Sequence, residues 1–369
     1  MIEDIQVKRG AIPLTETVPA QLWVSEWSNQ LFVKVTASGS VGWGEVLPAA
    51  ANTREPYVAM IERFAENLRG EDENEIRKLW NMMRKWSFTG GYGIATGAIS
   101  GIDIALWDLL GKKSGEPVSE LLEPEEPLVP KLRRYVSLSR YASNEQLSAV
   151  VGTLLEKGYR SIKMHQPPDD TLEGVKLLRD SFGRDFELMT DLNCGFSYRT
   201  ADEFMRRIER YELKWIEEPV WPPDDFESLA KLNKLGPVAA GENCFSIHEF
   251  YRLLKLDALT FYQPDAAKCG GITAMAEILT AIKDHGARIA LHNRPHNGWV
   301  GLVAGAHVAS CIDAGAIVES PTNDLPQQYF QFTGKMDRES IQVEGPGLGI
   351  APVEPIPEST GSPRLLRFH

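Results

Sequence analysis

Positive charge is in short supply in this chain. Its 369 residues carry 39 lysines and arginines against 51 acids, a formal net charge of −12. That balance disfavours a nucleic acid as partner, because gripping a phosphate backbone takes clustered cations. It leaves room for a small anion held by a few local ones. Cysteine is equally sparse. Cys194, Cys244, Cys269 and Cys311 lie far apart without a CxxC pair, which argues against a disulfide framework and against a thiolate zinc site. Reduced, structural thiols are expected. The unbroken apolar runs fall short of the roughly 18 residues a membrane span requires. The opening MIEDIQVKRG is charged where a signal peptide would be apolar. These features lead us to expect a soluble, cytoplasmic protein with no membrane partner.

What is present is enough apolar material for a large core: 43% of residues are hydrophobic and 24% charged, and the length suits two domains. From residue 133 on, short β-branched and aromatic runs recur: RRYVSLS, YRSIKMH, FELMTDLN, LKWIEEP, PVAAGEN, ALTFYQPD, ARIALHN and GAIVES. Each closes on a polar residue and is followed by a helix-like segment. Ser143 with Gln146, Thr200 with Glu203, and Ser246 with Glu249 have the spacing of a capping box, and Gly183 and Gly286 sit where helices should end. Alternation of strand and helix implies parallel strands joined by crossovers, and eight of them close most naturally into a barrel. An open doubly wound sheet would want a glycine-rich phosphate loop after its first strand, and SLSRYASNEQ offers none. The first 125 residues read differently. QLFVKVTASGSVGWGEV has the pattern of a hairpin, and REPYVAMIERFAENLRG, NEIRKLWNMMRKW and GAISGIDIALWDLLGKKSG have that of helices. We therefore expect an α/β chain: an α+β domain over 1–125, a barrel over 126–340, and a segment over 341–369, rich in Pro and Gly, that returns to the first domain.

Catalytic residues of such barrels gather at the C-terminal ends of the strands. Here those ends bring Lys163 and His165, Asp191 and Asn193, Glu217, Glu242, Asp265, His292 and Glu319. Alternation along a strand aims Lys163 and His165 at the same side. The third, fourth and fifth strands close on acids at spacings of 26 and 25 residues. Any one acid alone would be read as a solvated loop residue. Three buried side by side repel one another, and a cation resolves the repulsion. Oxygen ligands without sulfur or imidazole favour a hard ion, Mg²⁺ first and Mn²⁺ second. Glu218 competes with Glu217 for the middle position, but Glu217 keeps the even spacing. Across the barrel, Asp265 ends the strand beside that of His292 and can accept its ring N–H, raising its basicity. His296 is the rival imidazole, placed in the following loop. His248, His285, His307 and His369 are read as structural.

With these residues in view, the chain resembles the enolase superfamily, mandelate racemase subgroup. The likeness is carried by VGWGE and SGIDIALWDLLGK in the first domain, SIKMH, DLNCG, WIEEP, GEN and QPDAAKCGGIT in the barrel, and GPGLGI in the tail. It implies a modified (β/α)7β TIM barrel that lacks the last helix, capped by the N-terminal α+β domain. It implies Mg²⁺ ligands at Asp191, Glu217 and Glu242, an Asp265–His292 dyad, Glu319 as a hydrogen-bonding group for the substrate carboxylate, and Asn193 at a substrate-contacting position. Many relatives carry two lysines, as KxK, after the second strand. This chain has Lys163-Met164-His165, so an imidazole stands in place of the proton-transferring lysine. Lys268, three residues after Asp265, is read as part of the DAAKCGG loop.

Two bases on opposite sides of a hard metal suit removal of the proton beside a carboxylate through an enediolate. The leading expectation is dehydration of an acid sugar (aldonate, uronate or aldarate) to a 2-keto-3-deoxy acid. A racemase, epimerase or cycloisomerase on the same intermediate is the alternative, and a Schiff-base aldolase at Lys163 the reading from another class. ETVPAQLWVSEW and AAANTREPY read as loops that can close over the barrel mouth, with Trp23, Trp27 and Arg54 as substrate contacts and Arg294 a weaker one. Arg54 could pair with the far carboxylate of a diacid. The partner is a small carboxylate, and a homo-oligomer is expected.

Overall fold

The computed structural model describes residues 1–11, 29–48, 54–124, 128, 131–294, 299–321, 329–353 and 356. It begins with an antiparallel sheet of β1 (Ile2–Ala11), β2 (Asn29–Ala37) and β3 (Ser40–Val46). Ser38 and Gly39 join β2 to β3 at φ of 51° and 74°. A two-residue hairpin whose turn matches the strand twist needs left-handed backbone at both positions, which glycine adopts freely. Helices α1 (Arg54–Leu68), α2 (Ile76–Trp86) and α3 (Ile94–Ser114) cover this sheet. The glycines of VGWGEV explain how closely α3 lies on β3. A Cβ at Gly42 would sit 1.9 Å from the Ala105 carbonyl oxygen, and one at Gly44 1.8 Å from that of Gly101.

α3 corrects one expectation from the sequence. By length and composition it is apolar enough to cross a membrane, with a mean hydropathy of 1.3, yet 83% of that stretch is buried inside the fold. Its two acids are tied down internally. Asp103 accepts from the backbone N–H and hydroxyl of Thr273, and Asp108 accepts from the backbone N–H groups of Trp43 and Leu348.

After the short α4 (Val118–Leu121), eight parallel strands follow in the sequence order expected: β4 (Lys131–Ser137), β5 (Ser161–Met164), β6 (Glu187–Asp191), β7 (Ile216–Glu217), β8 (Val238–Ala240), β9 (Phe261–Tyr262), β10 (Arg288–Leu291) and β11 (Ile317–Ser320). β11 pairs back onto β4, with Glu319 opposite Tyr135, and the barrel closes. Seven helices alternate with them: α5 (Asn144–Glu156), α6 (Pro168–Phe182), α7 (Tyr198–Ile208), α8 (Phe226–Leu232), α9 (Ile247–Lys255), α10 (Gly271–Asp284) and α11 (Trp299–Ile312). Among the described residues no helix follows β11. Instead come β12 (Phe330–Phe332), β13 (Lys335–Met336), β14 (Ser340–Gln342) and β15 (Ile350–Pro352).

β14 pairs with the outer edge of β4, so the barrel sheet runs on to Gln342. β12 reaches the first sheet, where Phe330 packs edge-on to Phe32 and Trp43.

Ser143 and Ser246 cap their helices as expected, accepting from Gln146 and Glu249 N–H. At α7 the expectation fails. Ser197, not Thr200, is the cap, and Thr200 supplies the N–H it accepts. Both residue types serve as caps, and only the backbone path selects between them. Gly183 ends α6 at φ 70°, and Gly286, at φ 76°, follows α10. All four cysteines are free.

Candidate active site

Strand alternation divides the barrel interior into two storeys. The lower one is apolar: Tyr135, Met189, Trp215, Ala239, Phe261, Ala290 and Ile317 form one buried cluster. Two residues further along those strands, toward the C-terminal mouth, stand Asp191, Glu217, Gln263, His292 and Glu319, with Lys163 aligned between Ser137 and Met189. The same period of two that builds the plug therefore raises the chemistry above it.

Asp191, Glu217 and Glu242 each offer a carboxylate oxygen within 4.8 Å of the other two. Oxygens bound at about 2.1 Å to one Mg²⁺ stand no more than about 4.2 Å apart, so small side-chain adjustments suffice. The expected order of ligands is thus brought together. Glu218 turns away from them at φ 41° and accepts from Asn243 and the Cys194 thiol. Lys163 is fully buried. Its Nζ lies 2.6 Å from Glu217 Oε1 and 2.9 Å from Glu319 Oε1. His165, just beyond the end of β5, brings Nε2 to 3.1 Å from Asp191 Oδ2. On the other flank His292 Nδ1 is 2.7 Å from Asp265 Oδ2, while Nε2 is 2.9 Å from Glu242 Oε2. One imidazole therefore touches each outer carboxylate of the triad.

The electrostatics follow this sharing. Burial works against the charge of Asp191, but His165 outweighs it and holds the carboxyl low. Burial likewise opposes Glu242, and His292 and Lys268 overcome it, so this carboxyl too is held well below its ordinary value. Glu217 has no imidazole and shares Lys163 with Glu319; burial, reinforced by the neighbouring carboxylates, pushes it up. Lys163 and His292 are both raised despite burial, by Glu217 and Glu319 in the first case and by Glu242 and Asp265 in the second. A buried centre with one carboxylate short of compensation, built wholly of oxygen donors, fits a divalent hard cation.

Two matches place the chain. Residues 5–123 match the mandelate racemase/muconate lactonizing enzyme N-terminal domain, and residues 146–356 match the enolase C-terminal domain-like family. The chain belongs to the enolase superfamily, in its mandelate racemase group. It is 29% identical over 326 residues to an arabinonate dehydratase of Saccharolobus solfataricus, with 85% of each chain covered. It is 31% identical over 336 residues, again 85% of each, to a D-galactarolactone cycloisomerase of Agrobacterium fabrum. The structure of an L-talarate dehydratase from Polaromonas sp. JS666, complexed with Mg and L-glucarate, superimposes with a TM-score of 0.81 at 25% identity. The likeness covers 96% of this chain and 95% of that one.

Within this enolase-superfamily frame the remaining candidates divide. Asn193 donates from Nδ2 and from its backbone N–H to the two oxygens of Asp191, so it braces a carboxylate of the triad. Arg54 opens α1, is buried, and lies 3.4 Å from Glu55. Tyr57, one turn on, is held up at about 12 by burial and by the charge of Asp265, which brings this end of α1 near the dyad. Arg294 is buried and donates to the Pro48 carbonyl. Trp23, Trp27 and His296 lie outside the described residues.

Several residues of the site had no separate signal in the sequence reading. Gln263 Nε2 and Trp215 Nε1 donate to Glu217 Oε2 at 2.6 and 2.9 Å, and the Tyr135 hydroxyl donates to Glu319 Oε2 at 3.2 Å. Gln263 and Trp215 precede Asp265 and Glu217 by two positions, so the period of the strand could have found them. Lys268, read from sequence as a loop residue, is buried beside the triad, 2.9 Å from Asn243 Oδ1 and 3.7 Å from Glu242 Oε1. Arg140 donates to the His165 carbonyl and to Asn193 Oδ1, fastening the ends of β5 and β6.

Proposed function

We propose that this protein is a Mg²⁺-dependent acid-sugar dehydratase that removes the proton α to a carboxylate and expels a β-hydroxyl, yielding a 2-keto-3-deoxy acid. The observation that carries the reading is the pair of imidazoles on opposite flanks of a three-carboxylate centre, with a buried lysine between two of its acids. Relatives of this chain named as an arabinonate and an L-talarate dehydratase support it.

In this reading Asp191, Glu217 and Glu242 would hold the cation, and a bound Mg²⁺ would supply positive charge to stabilise an anionic substrate carboxylate. Lys163, already an ammonium between Glu217 and Glu319, orients and neutralises the same carboxylate, and Glu319 hydrogen-bonds to it. His165 takes the C2 proton. His292, kept oriented by Asp265, gives a proton to the departing C3 hydroxyl from the other side. Asn193 meets the substrate beside Asp191, and Arg54 and Trp23 contact its far end from the cap.

A cycloisomerase or epimerase is the second reading, favoured by the same opposed imidazoles and by the Agrobacterium relative. A Schiff-base aldolase is disfavoured, since the Lys163 amine lies within 2.9 Å of two carboxylates that keep it protonated and non-nucleophilic.

We further propose a cap over 1–125, a barrel over 126–340 and a returning segment over 341–369. Supporting the last, Leu348 donates to Asp108 of α3 and Val118 donates to the Gly347 carbonyl. A soluble, cytoplasmic homo-oligomer completes the reading. Incubation with a panel of aldonates, uronates and aldarates, read as 2-keto acid by semicarbazone absorbance, tests it. At least one substrate should turn over with Mg²⁺ and stop with EDTA. Silence across the panel, or turnover indifferent to EDTA, would overturn the reading.

A further inference from the structure

At the end of the barrel remote from the mouth, the start of β4, the segment leading into β5 and the β13–β14 hairpin enclose a cavity of about 340 Å³. Its charged lining is Lys131, Arg133, Arg134, Arg160 and Arg338 against a single acid, Glu339. On a chain of net charge −12 that is a local reversal of sign. Two of the cations are paired outward: Lys131 with Asp337 at 3.1 Å and Arg133 with Glu187 at 3.2 Å.

Among the described residues no carboxylate lies within ion-pair distance of the three other guanidiniums, although Asp337 acts on Arg134 from further off. Arg134 is buried, and its donors go to Ser320 Oγ, the Asp337 carbonyl and the Pro321 carbonyl. Burial holds its pKa below the ordinary arginine value. The Asp337 carboxylate is already taken by Lys131, by Ser340 and by the Glu339 N–H. Arg160 spends one nitrogen on the carbonyls of Leu155 and Tyr159. Among the described residues Arg338 makes no hydrogen bond or ion pair, and its guanidinium rests beside Gly158, where an added Cβ would meet it at an ordinary contact distance of 3.4 Å.

We propose that this cavity is a second binding site, for a small dianion of the phosphate class. Three guanidiniums in one concavity repel one another unless an anion is held between them, and their planar forks match phosphate oxygens two at a time. The volume lies at the lower end of small-molecule sites and suits inorganic phosphate or a compact phosphate ester. The site is independent of the chemistry at the mouth, so it stands or falls separately from the dehydratase reading.

Isothermal titration of the full chain with inorganic phosphate, against chloride at matched ionic strength, tests it. Saturable binding is expected, displaced by sulfate, weakened about tenfold by Arg338→Ala or Arg160→Ala, and lost in the double variant. Both side chains are exposed and lie at the barrel end remote from the mouth, so the variants should keep the parent's basal activity, and Arg338→Ala, which removes no hydrogen bond to a described residue, should also melt with the parent protein. Absence of saturable heat in the parent, or binding that survives the double substitution, would overturn the proposal.

Discussion

Lys163 is the residue on which the centre depends most. It is fully buried, and among the described residues it is the one cation within ion-pair distance of both Glu217 and Glu319. Removing one partner of such a set leaves buried charge uncompensated, which costs roughly 3–5 kcal/mol. Lys163→Met, nearly the same size, should therefore lose activity and unfold at lower urea in metal-free buffer by about that amount; an unchanged midpoint would mean that the carboxylates are protonated or solvated. The sequence made Lys163, His165 and His292 legible because each lies within one residue of a strand end, where alternation fixes the direction of the side chain, and Asp265, three residues past β9, through its place on the same C-terminal rim. Lys268 was read as a loop residue, and it is one, but its approach to the carboxylates carried no signal. It lies in a loop, and no period says that such a residue folds back to within 3.7 Å of Glu242.

At the scale of elements, the eight strands could be read because each pairs an apolar run with a polar terminus, and the acids recur at nearly constant spacing. The cap of α7 could not, since Ser197 and Thr200 are equally competent and the loop path decides. α11 carries a further consequence. His307 lies fully buried on it, and burial pushes its pKa from 6.5 down to about 4. The unfolded chain takes up that proton near 6.5 and the folded chain only near 4. Stability is therefore complete above about pH 6.5 and falls as pH drops toward 4, by up to about 3 kcal/mol. Urea unfolding across this range should show the slope, and His307→Gln should flatten it. An equal slope in the variant would assign the acid sensitivity to other groups.

For the whole molecule, the cap is bound to the barrel at the entry of α10. Trp80 donates to the Gly270 carbonyl, Trp107 to the Thr273 hydroxyl, and Asp103 accepts from Thr273 twice. α10 follows the strand that leads to Asp265, so the contact couples the cap's position to the dyad. The sequence showed that a cap exists but not this seam, because its hydrogen bonds span some 170 to 190 residues. If the cap selects substrate, Arg54→Ala should raise KM mainly for diacids; equal changes for mono- and diacids would remove Arg54 from the specificity account. The central claim is that His165 and His292 act on opposite sides of one substrate carbon framework. Proton NMR of a turned-over acid sugar in D₂O with Mg²⁺ tests this most directly. His292→Gln should still exchange the C2 proton while forming no keto acid, and His165→Gln should do neither. Keto acid formed at the parent rate by His165→Gln, or loss of C2 exchange only in His292→Gln, would contradict the account.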